Sequence, residues 1–109
     1  MTNGPYEVRF TLVAEQDLLR LADFLLQRAQ NLEDLHRAEE VMQILRQTIE
    51  IQLATMPWSY RKAAPGKRST RRELVVPTGS SGYVALYEIE SRHCVLVLAV
   101  RHQLEQDYH

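Results

Sequence analysis

Two adjacent runs decide how this chain folds: Tyr83-Val84-Ala85-Leu86-Tyr87-Glu88-Ile89-Glu90 and Cys94-Val95-Leu96-Val97-Leu98-Ala99-Val100-Arg101, parted only by Ser91-Arg92-His93. Both are rich in β-branched and aromatic residues and apolar at odd and even positions alike, the pattern of strands inside a sheet rather than at its rim. A third run, Arg71-Arg72-Glu73-Leu74-Val75-Val76, precedes them, is expected to end at Pro77, and joins them through the turn Thr78-Gly79-Ser80-Ser81-Gly82. The three read as an antiparallel meander. Covering both faces of its last two strands takes more than one helical layer unless the sheet curls closed. The isolated chain should therefore expose apolar surface.

Upstream of the meander the period changes. Tyr6 to Leu12 alternates, with Tyr6, Val8, Phe10 and Leu12 on one face and Glu7, Arg9 and Thr11 on the other, as a half-buried strand does. Thr11 can cap the element that follows, whose stripe Leu18, Leu21, Ala22, Leu25 and Ala29 predicts an amphipathic helix over about Ala14 to Ala29. Asn31 to Asp34 breaks the pattern. From Leu35 to about Thr55 the apolar positions Ala38, Met42, Leu45, Ile49, Leu53 and Met56 recur at spacings of three and four, which a helix alone satisfies. Such a helix is about 30 Å long. Pro57 stops it, and the short break makes the pair an antiparallel hairpin. The expected fold class is α+β, one domain over residues 1–109: an N-terminal strand, an α-helical hairpin and a three-stranded antiparallel meander, the helices packed on one face of a single curved sheet.

Composition narrows the functional classes. The chain has 109 residues, 45% of them hydrophobic and 25% charged, which suits one soluble core and neither disorder nor a membrane span. Met1-Thr2-Asn3-Gly4-Pro5 lacks the basic start and apolar stretch of a secretory signal, so a cytoplasmic location is expected. The single cysteine, Cys94, lies in the most apolar run and reads as a small buried hydrophobe. One cysteine and few histidines give no expectation of a metal site. No Gly-rich phosphate loop, zinc-protease or esterase motif is present, so no cofactor is expected.

Charge is unevenly divided. Residues 1–57 hold five Arg and nine acids, a balance of -4, whereas residues 58–109 hold eight Lys or Arg and five acids, a balance of +3. Six of those cations, Arg61, Lys62, Lys67, Arg68, Arg71 and Arg72, fall between Trp58 and Arg72 with no acid among them. Such a run suits an anionic partner, with Trp58 and Tyr60 available to stack, or a solvated loop whose Arg residues pair with the acidic helices. A second grouping, Arg101-His102 with Tyr108-His109, contains the base, acid and phosphate-holding cation that RNA cleavage by a 2'-hydroxyl needs. His, Tyr and Arg in a polar tail are more often simply solvated.

The order of elements, together with Leu98-Ala99-Val100-Arg101-His102-Gln103, resembles the RelE/ParE superfamily of toxins from bacterial type II toxin-antitoxin modules. The resemblance extends to Tyr6-Glu7-Val8-Arg9-Phe10-Thr11 with Ala14 and Asp17-Leu18, to Leu53 and Pro57 before the basic segment, and to Gly82-Tyr83-Val84-Ala85-Leu86-Tyr87. It implies a growth-inhibiting toxin held in a hetero-oligomer by a cognate antitoxin protein. RelE-like members cleave messenger RNA on the ribosome; ParE-like members poison DNA gyrase and lack a nuclease site. A RelE-like chemistry here would fall to Arg71, Arg101, His102 and Tyr108. The ending Gln103-Leu104-Glu105-Gln106-Asp107 departs from the cationic RelE-like tail, and the Val-Arg-His-Gln sequence is the more ParE-like. Trp58, Arg61, Lys62, Lys67, Arg68 and Arg72 are then the target-binding candidates, and a divergent member retained only as a binding partner is a further reading.

Overall fold

The computed structural model describes residues 5–63, 70–78 and 81–104. Among them the elements run β1 (Glu7–Phe10), α1 (Leu12–Gln27), α2 (Leu32–Thr55), a 3-10 turn (Pro57–Ser59), β2 (Arg61–Lys62), β3 (Arg71–Thr78), β4 (Ser81–Ile89) and β5 (Cys94–His102). They build one sheet in the order β1-β5-β4-β3-β2, with both helices packed against it. The meander β3-β4-β5 is antiparallel throughout, as expected, and β1 lies parallel to β5. Strand β2 is an addition to the expected elements. Arg61 and Lys62, expected in a loop, pair antiparallel with Glu73 and Arg72.

Local chemistry sets the element boundaries. Thr11 is extended and caps α1, its hydroxyl oxygen accepting from the Ala14 amide at 3.1 Å, so the helix starts at Leu12 rather than Ala14. The same hydroxyl donates to the Leu98 carbonyl at 3.2 Å, while the Thr11 amide donates to the Val97 carbonyl at 3.0 Å. Where β1 ends, one residue thus continues its hydrogen bonding to β5. Asp17, one and a half turns into α1, accepts from the Val100 amide at 2.9 Å and extends that edge further. Asn31 caps α2 through the Asp34 amide at 2.8 Å, bringing its start forward from Leu35 to Leu32. Met56, assigned to the core stripe by spacing, is the C-cap and 50% exposed, because the helix ends before its side chain reaches the sheet.

Pro77 does not stop β3. The amide of Ile89 donates to the Thr70 carbonyl at 2.8 Å, and from that register the amides of even-numbered β3 residues point to β4 and those of odd-numbered ones point outward. A proline at position 77 therefore costs the ladder nothing, and it leaves that stretch of the outer edge without a donor. A bulge interrupts the β4–β5 register: Leu86 faces Ala99 and Tyr87 faces Val97, with Leu98 the extra residue. It moves Val100 onto the face already occupied by Val95 and Val97.

The helix-facing side of the sheet carries Val76, Leu74, Tyr83, Ala85, Tyr87, Ile89, Val95, Val97 and Val100, which pack on Ala14, Leu18 and Leu21 of α1 and Leu45, Ile49 and Leu53 of α2. At its centre Tyr87 is fully buried, and its hydroxyl donates to the Pro57 carbonyl at 2.6 Å. Burial pushes this phenol well above its ordinary range, with the nearby Arg72 charge opposing the shift. The helices are tied by a two-point ion pair, Arg46 to both Glu15 carboxylate oxygens at 2.7 Å, and the same guanidinium lies over the Phe10 ring at 4.3 Å. Cys94 is half-buried rather than buried, because it opens β5 beside the short edge strand β1; burial is the main cause that raises its thiol pKa.

Tyr87→Phe should destabilise the fold by about 1–2 kcal/mol, since it leaves the Pro57 carbonyl without its donor; urea unfolding measures this. Gly82→Ala should cost more, on the order of 2–3 kcal/mol, because the new Cβ would stand 2.8 Å from the Val76 carbonyl oxygen and 3.2 Å from the Pro77 Cα. The bond from Arg46 holds the Glu15 carboxyl below its ordinary range. Its stabilisation is therefore complete above the unfolded carboxylate range and is lost as pH falls through the lowered folded value. Unfolding midpoints of Glu15→Gln and the parent chain should converge in acid.

Candidate target-binding surface

The outer face of the sheet, opposite the helices, is an alternation of ion pairs and half-buried leucines. Arg61 of β2 pairs with Glu73 of β3 at 3.0 Å, and Arg71 of β3 pairs with Glu88 of β4 at 2.9 Å. Each pair bridges two neighbouring strands, and the carboxylates are the more buried members. Arg9 and Glu7 form a third pair on β1. Leu86, Leu96 and Leu98 lie half-buried on the inner strands. This is the partial exposure that apolar residues on both faces of β4 and β5 foretold.

Strand alternation separates the residues proposed for RNA cleavage. Arg101 faces Val84 in the ladder and lies on the outer face; His102 faces Tyr83 and lies on the helix side, its ring edge-on to the Tyr83 ring with centroids 5.3 Å apart. The His102 Nδ1 accepts from the Leu104 amide at 3.1 Å, which closes the turn after β5. Arg71 and Arg101 share a face, but Arg71 stands opposite Glu88 and Arg101 opposite Val84. Four residues along β4 and two strand spacings across put their backbones on the order of 16 Å apart. The register thus does not bring Arg71, Arg101 and His102, named for a RelE-like chemistry, together on one face, since neighbouring positions of a strand point to opposite sides. Tyr108 and His109, with Lys67 and Arg68 of the basic run, lie outside the described residues.

The target-binding candidates divide in the same way. Arg72 points to the helix side, where its Nη1 donates to the carbonyls of Trp58 at 3.0 Å and Tyr60 at 2.6 Å while its guanidinium lies 5.1 Å from the Trp58 ring centroid. Trp58 is 48% exposed, and its indole Nε1 donates to the Tyr6 hydroxyl at 3.1 Å. Tyr60 donates to the Gln52 side chain at 2.6 Å, and burial raises its phenol pKa. The indole is therefore held by two contacts, from Tyr6 and from Arg72, a pre-oriented aromatic beside the exposed Arg61 and Lys62. Burial likewise raises the Tyr83 phenol, so neither of these tyrosines is poised to lose a proton near neutral pH.

Glu73 and Glu88 were missed as partners of the basic run. Their signal in the sequence is period two, Arg71 with Glu73 on one face of β3, but which cation meets which acid depends on cross-strand register. Among the described residues no group of three or more His, Cys, Asp or Glu could hold a metal ion, and no helix is long and apolar enough to cross a membrane.

Comparison with known proteins agrees with this architecture. A solved structure from P. aeruginosa, described as a chromosomal ParDE TA system, superposes with a TM-score of 0.66 over 90% of this chain and 96% of its own at 13% sequence identity, which speaks for the fold alone. No curated protein matches the chain. The family described as ParE toxin of type II toxin-antitoxin system, parDE, matches residues 8–107. A match over nearly the whole length, on this fold, places the chain in the ParE toxin family, within the RelE/ParE superfamily of type II toxins.

Proposed function

We propose that this chain is the growth-inhibiting toxin of its module, acting in the cytoplasm by binding DNA gyrase without cleaving RNA, and silenced by a cognate antitoxin. The observation that carries the choice against a nuclease is the pairing of Arg71 with Glu88. A cation meant to hold a scissile phosphate would gain little with a carboxylate already at 2.9 Å, and that carboxylate repels the substrate. Arg61 is neutralised by Glu73 in the same manner, and His102 lies across the sheet from Arg101. Together these favour adhesion over general acid-base chemistry.

Trp58 is the anchor we assign to the target. Interface energy concentrates in rigid aromatic and Arg residues, and the indole is held in place by Tyr6 and Arg72 before any partner arrives. The half-buried leucines of the outer face, interleaved with ion pairs, suit an antitoxin segment that brings apolar side chains and satisfies the strand-edge charges.

Purified protein should inhibit gyrase supercoiling or trap cleaved DNA, and an unaffected gyrase at saturating protein would refute the assignment. Trp58→Ala should weaken that inhibition about tenfold or more with the fold retained by circular dichroism. In parallel, primer extension on translated messages after induction should show no new cleavage ends. Ends that appear with the parent and vanish in His102→Ala, Tyr108→Ala would instead establish the ribosome-dependent ribonuclease.

A further inference from the structure

Helix α2 carries a second apolar stripe, whose first residue, Val41, packs against the core and whose isoleucines lie outside it. Its core stripe, Leu45, Ile49 and Leu53 with Ala38 ahead of them, is buried. Roughly 100° around the helix, Val41, Ile44, Thr48, Ile51 and Thr55 recur at alternating spacings of three and four, the a and d positions of a coiled-coil seam. Ile44 and Ile51 are 48% and 50% exposed, Thr55 is exposed, and Val41 and Thr48 are half-buried. Beside the seam stand Gln47 and Gln52. Between residues 41 and 56 the charged residues are Arg46 and Glu50, and both lie away from it, Arg46 contacting Glu15 of α1 and Glu50.

Over four turns this one flank of the helix thus shows no charge. Surface helices ordinarily expose charged or long polar side chains, and β-branched residues at such positions lower helix propensity without gaining burial. Val, Ile, Thr, Ile and Thr at seam spacing are what a helix needs when a second helix packs against it.

We propose that the occupant is α2 of a second copy of this chain, the two helices crossing at a two-fold axis beside Thr48. An isologous contact sets one patch against itself, so any charge in it must find an opposite charge placed by the same symmetry. A seam without charge meets that condition in any register, whereas it offers no complement to an acidic or basic partner segment. Thr48 is also the midpoint, seven residues from both Val41 and Thr55. An antiparallel pair then sets Ile44 of one copy near Ile51 of the other, with the small Thr48 residues at the crossing. The seam is about 21 Å long, two heptads, which makes the dimer weak and reversible. The inference is independent of the gyrase assignment, and its test involves no target.

Sedimentation velocity of the purified chain over about a hundredfold range of concentration should show the mass rising from one chain toward two. Ile44→Lys with Ile51→Lys should hold it at one chain, with the helical circular dichroism unchanged; Ile44→Gln with Ile51→Gln serves if the lysine pair misfolds. In a Cys94→Ala background, Thr48→Cys should oxidise to a disulfide-linked dimer while Gln43→Cys, away from the seam, should not. A chain that stays monomeric at every concentration, or a dimer that survives both double substitutions, overturns the proposal. So does a monomeric chain whose double substitution abolishes antitoxin binding, which would give the seam to that partner instead.

Discussion

The parallel pairing of β1 with β5 is the constraint on which the other features depend. Antiparallel neighbours can be joined by a tight turn, but a parallel pair requires the intervening chain to travel back across the sheet. Here that return journey is the whole of α1, α2 and the meander. It places the first and last strands side by side and makes β5 an inner strand, bonded to β1 on one edge and β4 on the other. Because β1 is only four residues long, β5 would lose its partner halfway. Thr11 and Asp17 supply that partner from the start of α1, taking the Leu98 carbonyl and the Val100 amide. The helix is therefore seated by the same bonds that complete the sheet, and the docking of α1 follows from the length of β1.

Elements defined by periodicity were legible in the sequence because periodicity is a local property. The two-residue alternation of β1, the three-and-four spacing of α2 and the double-faced apolarity of β4 and β5 all correspond to what is observed. Features set by long-range pairing were not. Two residues, Arg61 and Lys62, are too few to show an alternation, so β2 was invisible until β3 offered an edge. Pro77 was misread because a proline breaks a ladder only when its nitrogen faces a bonded neighbour, and that orientation is a matter of register. The bulge at Leu98 is of the same kind: one extra residue in a uniformly apolar run leaves no trace in composition.

The candidate site shows the same division more sharply. A tally of charge along the chain marked residues 58–72 as cationic, and the count is right. What a tally omits is that strands bring distant residues into opposition. Glu73 and Glu88 lie just downstream in sequence yet stand beside Arg61 and Arg71 in the sheet, so part of the apparent anion site is a set of cross-strand ion pairs. Exposed pairs of this kind contribute little to stability. Their larger effect is on recognition, since a neutralised cation draws phosphate far less strongly than a bare one.

These two lessons meet in helix α2. Spacing along its sequence marks one apolar stripe, Ala38, Met42, Leu45, Ile49, Leu53 and Met56. The structure shows a second stripe beside the buried one, and between residues 41 and 56 the charged residues, Arg46 and Glu50, lie off it, Arg46 paired with Glu15 of α1. A helix built to cover a sheet needs only the first stripe. The second stripe conflicts with solubility and with helix propensity, and it is confined to one flank and one residue class. Charged side chains are the ordinary occupants of a solvent-facing flank, so its uniformity fits a packing partner outside the single chain. The Arg46 ion pair shows the alternative outcome on the same helix: where α1 is the neighbour, the surface of α2 is charged and paired with it.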